Sequence, residues 1–375
     1  MKIAWSAFVL DGGISGISTY VFSLLRALSQ ENKTHQYDIL LPAQARSLLP
    51  PLGDNFHVKS SRPFFQHPLS SILWHNTVLP TLASYRDYAL VHIPSIRRIP
   101  LIKNARLVAT VHDMAPCAMP EKYDAFRWFY HQHILGRLIH RCDRLIAVSH
   151  YTKADIIKYT GYPEDKIDVI YSGIDQDLYQ PHPKDNLLHE RYGLEHPFLV
   201  YVSRIEAPAK NHLNLIRAFE LLKQRHQLPH DLVFAGPDWS GSEIVRDYVL
   251  QSPFKANIRL LGAIPNEDIV RLYSHCDLMA FPSLFEGFGF PLLEAMACGA
   301  PVACSNLTAM KEVAEGYAAL FNPHHPESIA QAIMTVLDNP DKASIGSRGR
   351  EYAAKFLWKN TAQQVLNTYQ RALES

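Results

Sequence analysis

Glu286 and Glu294 stand eight residues apart in Ser283-Leu284-Phe285-Glu286-Gly287-Phe288-Gly289-Phe290-Pro291-Leu292-Leu293-Glu294-Ala295-Met296-Ala297-Cys298-Gly299. A carboxylate accepts from two neighbouring hydroxyls at once, so such a pair can hold two polyols. Gly287 and Gly289 remove side chains from the turn between them, and Pro291 suits a first helical turn. The N–H groups that open a helix attract phosphate. The pattern therefore predicts a site for a sugar, a diphosphate and a ribose. Glu286, before the helix, grips sugar hydroxyls together with the amides at Phe288 and Gly289. Glu294, two turns further on, takes the ribose, and Leu292 and Leu293 complete the donor-binding segment.

Positive charge for the diphosphate is expected from Ser203-Arg204-Ile205-Glu206-Ala207-Pro208-Ala209-Lys210-Asn211, which follows an apolar run at Phe198–Val202. Side chains there can reach the crevice at the strand ends where α/β sheets bind ligands. Arg204 and Lys210 would neutralise the charge that grows on the leaving nucleotide. Asn211 reads as a helix cap, as does Ser149. Asp11-Gly12-Gly13-Ile14-Ser15-Gly16 is a glycine-rich strand-to-helix turn that does not spell the dinucleotide fingerprint. The sequence contains no DxD-like acidic cluster and no His/Cys constellation, so neither metal nor cofactor is expected.

Together these segments resemble the E-x7-E pattern of retaining glycosyltransferases of the GT-B fold, the large family 4 of nucleotide-sugar-dependent enzymes. The resemblance covers nearly the whole chain. It implies an acceptor-binding Rossmann-like domain over 1–178, a nucleotide-sugar-binding one over 196–358, and a C-terminal helix in 359–375 crossing back to the first. It implies further that Gly12 and Gly13 close over the donor phosphates and the acceptor. His112, in His112-Asp113 after Leu107–Val111, would lie beside the donor sugar or orient the acceptor. Asp113 would act as acceptor-side base or hold a loop. Tyr171-Ser172-Gly173-Ile174-Asp175 matches a family segment in which Asn is common where Ser172 stands.

Composition bounds the same reading. A chain of 375 residues with 47% hydrophobic content exceeds one ordinary core and suggests two domains. A net charge of +1 argues against nucleic acid as a partner. The balance is uneven, with 19 Lys/Arg against 14 Asp/Glu over residues 1–175 and 18 against 22 over the rest. Five cysteines without a CxxC pair suggest a reducing, cytoplasmic setting. Met1–Leu10 reads as a first strand, and no apolar run is long enough to span a membrane. The segment Glu121–Arg144 is aromatic and basic. At helical spacing His133, Arg137, His140, Arg141 and Arg144 lie roughly on one face, which reads either as the solvated side of an internal helix or as a surface for peripheral contact with an anionic membrane.

Strand-like runs alternate with helical patterns: Ile3–Leu10, Tyr20–Leu28, Tyr37–Leu41, Leu90–Ile93, Leu107–Val111, Phe126–Ile139 and Leu145–Val148. After a pause at Asp177–Glu195 come Phe198–Val202, Leu213–Arg225, Leu232–Ala235, Ile258–Leu261, Leu278–Phe281, Pro301–Ala303, Ala319–Phe321 and Ile329–Leu337. This βαβ rhythm predicts an α/β protein of two doubly wound, Rossmann-like domains with a cleft between them. The activity that the family resemblance implies is retaining transfer of a hexose from a nucleoside-diphosphate sugar to a glycan or lipid-linked saccharide. GDP-mannose is the first donor expected and UDP-glucose the second. Two rival readings are a nucleotide-sugar 2-epimerase of the same fold and a non-catalytic nucleotide-sugar-binding scaffold.

Overall fold

Parallel strands covered on both faces must be apolar nearly throughout, which is why runs such as Leu90–Ile93 and Phe198–Val202 show no alternation. The computed structural model describes residues 1–8, 15–81, 87–119, 128, 134–314 and 316–374. Its first sheet holds β1 (Lys2–Ser6), β2 (Gln36–Pro42), β3 (Phe56–Ser61), β4 (Leu90–Ile93), β5 (Arg106–Val111), β6 (Arg144–Ala147) and β7 (Ile167–Val169). They pair in parallel in the order β3-β2-β1-β4-β5-β6-β7. The second holds β8 (Phe198–Val202), β9 (Asp231–Ala235), β10 (Ile258–Leu260), β11 (Leu278–Phe281), β12 (Val302–Ser305) and β13 (Ala319–Phe321), in the order β10-β9-β8-β11-β12-β13. Each sheet winds outward in both directions from its first strand. The switch points, where ligand crevices open at the carboxyl ends, are therefore β1/β4 and β8/β11.

Two compact units result: Met1–Gly173 with Leu357–Ser375, and Ile174–Phe356. The stretch read from sequence as a pause, 177–195, belongs with the second unit. It carries the helix Leu187–Tyr192, whose Arg191 and Tyr192 both donate to Asp268, at 2.8 Å and 2.6 Å to Oδ2. Asp185 pairs with Arg271 at 2.9 Å. Two of the scattered charges in that stretch, Asp185 and Arg191, thus pair with the helix Asn266–His275.

In the first unit the helix Gly16–Glu31 is capped by Ser15, whose Oγ accepts from Ser18 N, and it buries Tyr20, Val21, Leu24, Leu25 and Leu28. Each such side chain contributes about 1.5–3 kcal/mol on burial. Ser149 caps His150–Thr160, as the sequence suggests. The C-terminal helix Trp358–Glu374 packs on this unit. Its Tyr369 hydroxyl accepts from Trp5 Nε1 at 3.2 Å and bonds His92 Nδ1 at 2.6 Å, while His92 Nε2 meets Thr110 Oγ1 at 2.9 Å. Gly173 allows the chain to pass that helix, since a Cβ there would lie 2.3 Å from the Trp358 nitrogen.

Two expectations need correction, the end of the first strand and the place of Arg144, and a third falls mostly outside the described residues. β1 ends at Ser6, and Val9 and Leu10 lie outside the described residues. The helix expected over Phe126–Ile139 also lies largely outside them. Its described end is a short helix, Gly136–Leu138, followed by a 3₁₀ turn, Ile139–Arg141. Arg144 does not sit on a helical face: it opens β6, is buried, and pairs with Asp168 through Nη2 at 2.8 Å. Strands β3 and β7 escape sequence reading because one is mostly polar and the other is a three-residue Ile-Asp-Val run broken by a charge. All five cysteines are buried and free. Among the described residues no helix is long and apolar enough to cross a membrane.

Candidate functional site

Lys210 and Glu286 are 76 positions apart, yet Lys210 Nζ lies 2.6 Å from Glu286 Oε1, with both side chains 16% exposed. The pairing follows from topology. Lys210 lies in the loop after β8 and Glu286 in the loop after β11, the two strands that flank the second sheet's switch point. Asn211 holds these loops together. It stands at the N-cap of His212–His226 in the left-handed region at φ 57°, but its side chain does not cap. Instead Nδ2 donates to the Pro282 carbonyl at 3.1 Å and the Pro323 carbonyl at 2.8 Å. The cap expected from sequence is therefore a three-loop tie. Leu284 N donates to the Ala209 carbonyl at 2.9 Å, and the Tyr201 hydroxyl bonds the Lys210 carbonyl at 3.0 Å and Ser283 Oγ at 2.9 Å.

Gly289 caps the helix Phe290–Ala297 at φ 92°, a conformation that L side chains rarely adopt, with Pro291 in the first turn as the sequence predicts. The Glu286 amide donates to Thr308 Oγ1 at 3.2 Å. Leu292 and Leu293 are 0% exposed, so their side chains belong to the core and any part they play at a ligand falls to the backbone of this turn. Phe288 is likewise buried, its ring 5.3 Å from that of Phe290.

Arg204 does not touch the Lys210–Glu286 pair. Its Nη2 donates to buried Glu206 at 3.2 Å and its guanidinium lies 4.7 Å above the Trp239 ring. Two neighbours hold it in a fixed, half-exposed pose, with a planar fork well suited to phosphate oxygens. Glu294 is partly buried, and burial pushes its carboxyl up to about 7, against a smaller downward pull from the Tyr179 and Tyr273 hydroxyls. Tyr179 lies in the stretch read as a pause and gives no sequence signal. Trp239, Thr308 and Tyr273 were missed for a related reason: their partners Arg204, Glu286 and Glu294 are distant in sequence, whereas Glu206 lies two positions from Arg204 and only the fold buries it.

In the first unit His112 follows β5. Its Nε2–H donates to the Pro94 carbonyl at 3.0 Å, leaving Nδ1 as an acceptor. Burial holds its pKa down to about 4, opposed by the Asp113 charge, so the ring is neutral at pH 7. The Tyr20 ring meets it edge-on at 4.8 Å. Asp113 Oδ1 accepts from Ala115 N at 3.0 Å and so holds its own loop. Gly12 and Gly13 lie outside the described residues. Among the described residues no group of three or more His, Cys, Asp or Glu side chains is placed to hold a metal ion.

Comparison with known proteins decides the family. Residues 14–178 match the Glycosyltransferase Family 4 model and residues 188–352 the model for Glycosyl transferases group 1. The chain belongs to glycosyltransferase family 4. This family 4 chain is 26% identical to the O-antigen chain mannosyltransferase B of Escherichia coli over 382 aligned positions, covering 98% of the chain and 99% of that protein. It is 31% identical to an E. coli serotype-specific mannosyltransferase WbdA over 282 positions, covering 72% of the chain but 34% of the longer relative. The solved structure of Anabaena HepE in complex with UDP and glucose shares its fold, with a TM-score of 0.78 at 22% identity over 99% of both chains.

Proposed function

We propose that this glycosyltransferase moves a mannosyl group from GDP-mannose to a glycan or lipid-linked saccharide acceptor in cell-surface polysaccharide synthesis, with retention at the anomeric carbon. The observation that carries the reading is the convergence of Lys210 and Glu286 at the switch point, with Arg204 fixed on the same strand's loop. Mannose is favoured by the relatives, which are named as O-antigen mannosyltransferases. In this reading Arg204 and Lys210 bind the diphosphate, Glu286 and the backbone from Gly287 to Gly289 grip the sugar, and Glu294 binds the ribose. Lys210 then exchanges Glu286 for a phosphate oxygen, and Glu286 becomes free to accept from sugar hydroxyls.

Two fixed cations supply charge stabilisation to the departing nucleotide, so the mechanism is drawn without a metal. Retention is assigned to front-face attack through an oxocarbenium-like state, the leaving phosphate taking the acceptor proton. In the first unit, neutral His112 offers Nδ1 to a hydroxyl, and Asp113 keeps its loop in place. The membrane-facing helix expected over Glu121–Arg144 is not part of this reading, because Arg144 is buried in a strand.

The test is a thermal-shift panel of GDP, UDP, ADP and dTDP, with and without magnesium, on wild type and Arg204→Ala. A ligand that binds only the native state raises the melting temperature by mass action. GDP is expected to stand out without magnesium and to lose its effect in the variant. A larger response to UDP would move the donor to UDP-glucose, and silence toward all four would refute the nucleotide-sugar reading. Transfer without epimerised donor would separate the reading from the epimerase, and activity lost in Glu294→Ala would separate it from the scaffold.

A further inference from the structure

The helix Pro68–Thr77 in the first unit is apolar on both sides. Its inner face is buried through Trp74, His75 and Ser71, with the Trp74 ring 4.5 Å from that of Phe8. An outer face would ordinarily be charged. Here the sequence Pro-Leu-Ser-Ser-Ile-Leu-Trp-His-Asn-Thr has no Asp, Glu, Lys or Arg, and Leu69 and Leu73 stand 73% and 51% exposed at i and i+4.

Neighbouring segments extend this face. Before the helix, Phe64 is 65% exposed, and its carbonyl accepts from Ser70 Oγ at 2.7 Å. After it, Asn76 Oδ1 accepts from Leu101 N at 2.8 Å, which fixes Leu101 and Ile102, 55% and 50% exposed, beside the helix end. Arg98 Nε donates to Ser71 Oγ at 3.0 Å and braces the same junction. Five exposed large apolar side chains therefore sit on this helix and on the two segments hydrogen-bonded to it, more than scattered surface hydrophobics would give.

The segment that builds this face is predominantly basic. Between residues 55 and 112 the sequence has seven Lys and Arg against one acid, Asp87, in a chain whose net charge is +1. Lys59, Arg62 and His67 are exposed on the approach to the helix. Beyond Ile102, Lys103 and Arg106 share the one carboxylate of Asp143, at 2.7 Å and 2.9 Å. The surplus of positive charge in the N-terminal half is thus concentrated in the segment that builds the apolar face.

We propose that this face, built from Phe64, Leu69, Leu73, Leu101 and Ile102 with its basic surround, docks the protein on an anionic lipid bilayer. Apolar side chains enter the boundary between headgroups and acyl chains while Lys and Arg meet lipid phosphates. A second copy of the chain fits less well, because a two-fold contact would set one basic surround against another. The surface differs from the helix that sequence spacing suggested for membrane contact, and the proposal does not depend on which sugar is transferred.

The test is co-sedimentation of the full chain with phosphatidylcholine vesicles that do or do not contain about one-third phosphatidylglycerol, a fraction giving an anionic surface. Wild type is expected to pellet with the anionic vesicles and to be released in about 0.5 M salt, where the screening length is about 4 Å. Leu69→Ser/Leu73→Ser should weaken binding about tenfold by removing inserted apolar surface, and Lys59→Gln/Arg62→Gln should weaken it with a smaller salt response. Leu250→Ser, which alters a side chain 68% exposed in the second unit, should bind as wild type does. Unchanged thermal melts would show that the variants fold. Wild type left in the supernatant, or the leucine variant pelleting as well as wild type, would overturn the proposal. So would a concentration-dependent dimer in light scattering that the leucine variant abolishes, since the face would then be a self-interface.

Discussion

Replacing Glu294 by Gln should make the protein more stable while removing a carboxylate of the proposed ligand site, and the gain should depend on pH in a defined direction. Burial pushes the carboxyl from its ordinary 4.5 up to about 7. At 1.36 kcal/mol per pH interval, holding it ionised in the native protein costs about 3 kcal/mol at pH 8. Between those two values the native state binds more protons than the unfolded chain. Its contribution to stability is therefore complete below about pH 4.5 and is lost as pH rises through about 7. The glutamine side chain has no proton to lose. The difference in unfolding free energy, variant minus wild type, should widen as pH rises from about 4.5 to about 8, by up to about 3 kcal/mol. Urea denaturation of both proteins across this range measures it, because titrations common to the two cancel in the difference. A difference that stays flat with pH would refute the burial argument. Nucleotide binding supplies a second arm. If ribose hydroxyls donate to this carboxylate they favour its ionised form, so GDP binding near pH 7 should release protons, seen by calorimetry in two buffers of different ionisation enthalpy. The Glu294→Gln variant should lose both the release and much of the affinity, the usual exchange of stability for function.

Three further outcomes follow from named contacts. Lys210→Met and Glu286→Gln should each destabilise the chain by about 2 kcal/mol and the double variant by less than their sum, because either single change leaves one mostly buried group unpaired; additive costs in denaturant melts would show that the 2.6 Å pair is uncoupled. Gly173→Ala would set a Cβ 2.3 Å from the Trp358 nitrogen, whereas a Cβ at Gly136 meets nothing within 4 Å. The first should cost more than about 3 kcal/mol and the second should be neutral or stabilising by up to about 1 kcal/mol, so equal melting temperatures would contradict the packing of the C-terminal helix. Tyr369→Phe strands the buried Trp5 N–H and one His92 nitrogen, with an expected loss of about 1–3 kcal/mol and no change in GDP affinity. A loss of GDP affinity at unchanged stability would point instead to a ligand role for that hydroxyl.

The sequence by itself determined the elements whose physics is local. β4, β8 and β11 are apolar throughout because a parallel sheet buries both faces. Gly289 and Pro291 set the start of a helix through φ preferences alone, and Ser149 caps one through its own hydroxyl. The candidate site residues from Arg204 to Glu294 were legible as types too, since cations and carboxylates stand out in loops that follow apolar strands. Tertiary structure decided what those residues touch. That Lys210 neutralises Glu286, that Asn211 ties three loops in place of capping one helix, and that Leu292 and Leu293 turn inward all depend on which strands become neighbours. Arg144 is the same lesson reversed: at helical spacing it joins a basic face, but the strand it opens carries it to Asp168. Tyr179 reached Glu294 from a stretch with no period of its own, and the exposure of Leu69 and Leu73 depends on which face of Pro68–Thr77 the fold covers. Contacts between residues tens to hundreds of positions apart follow from strand order and burial, which local spacing does not encode.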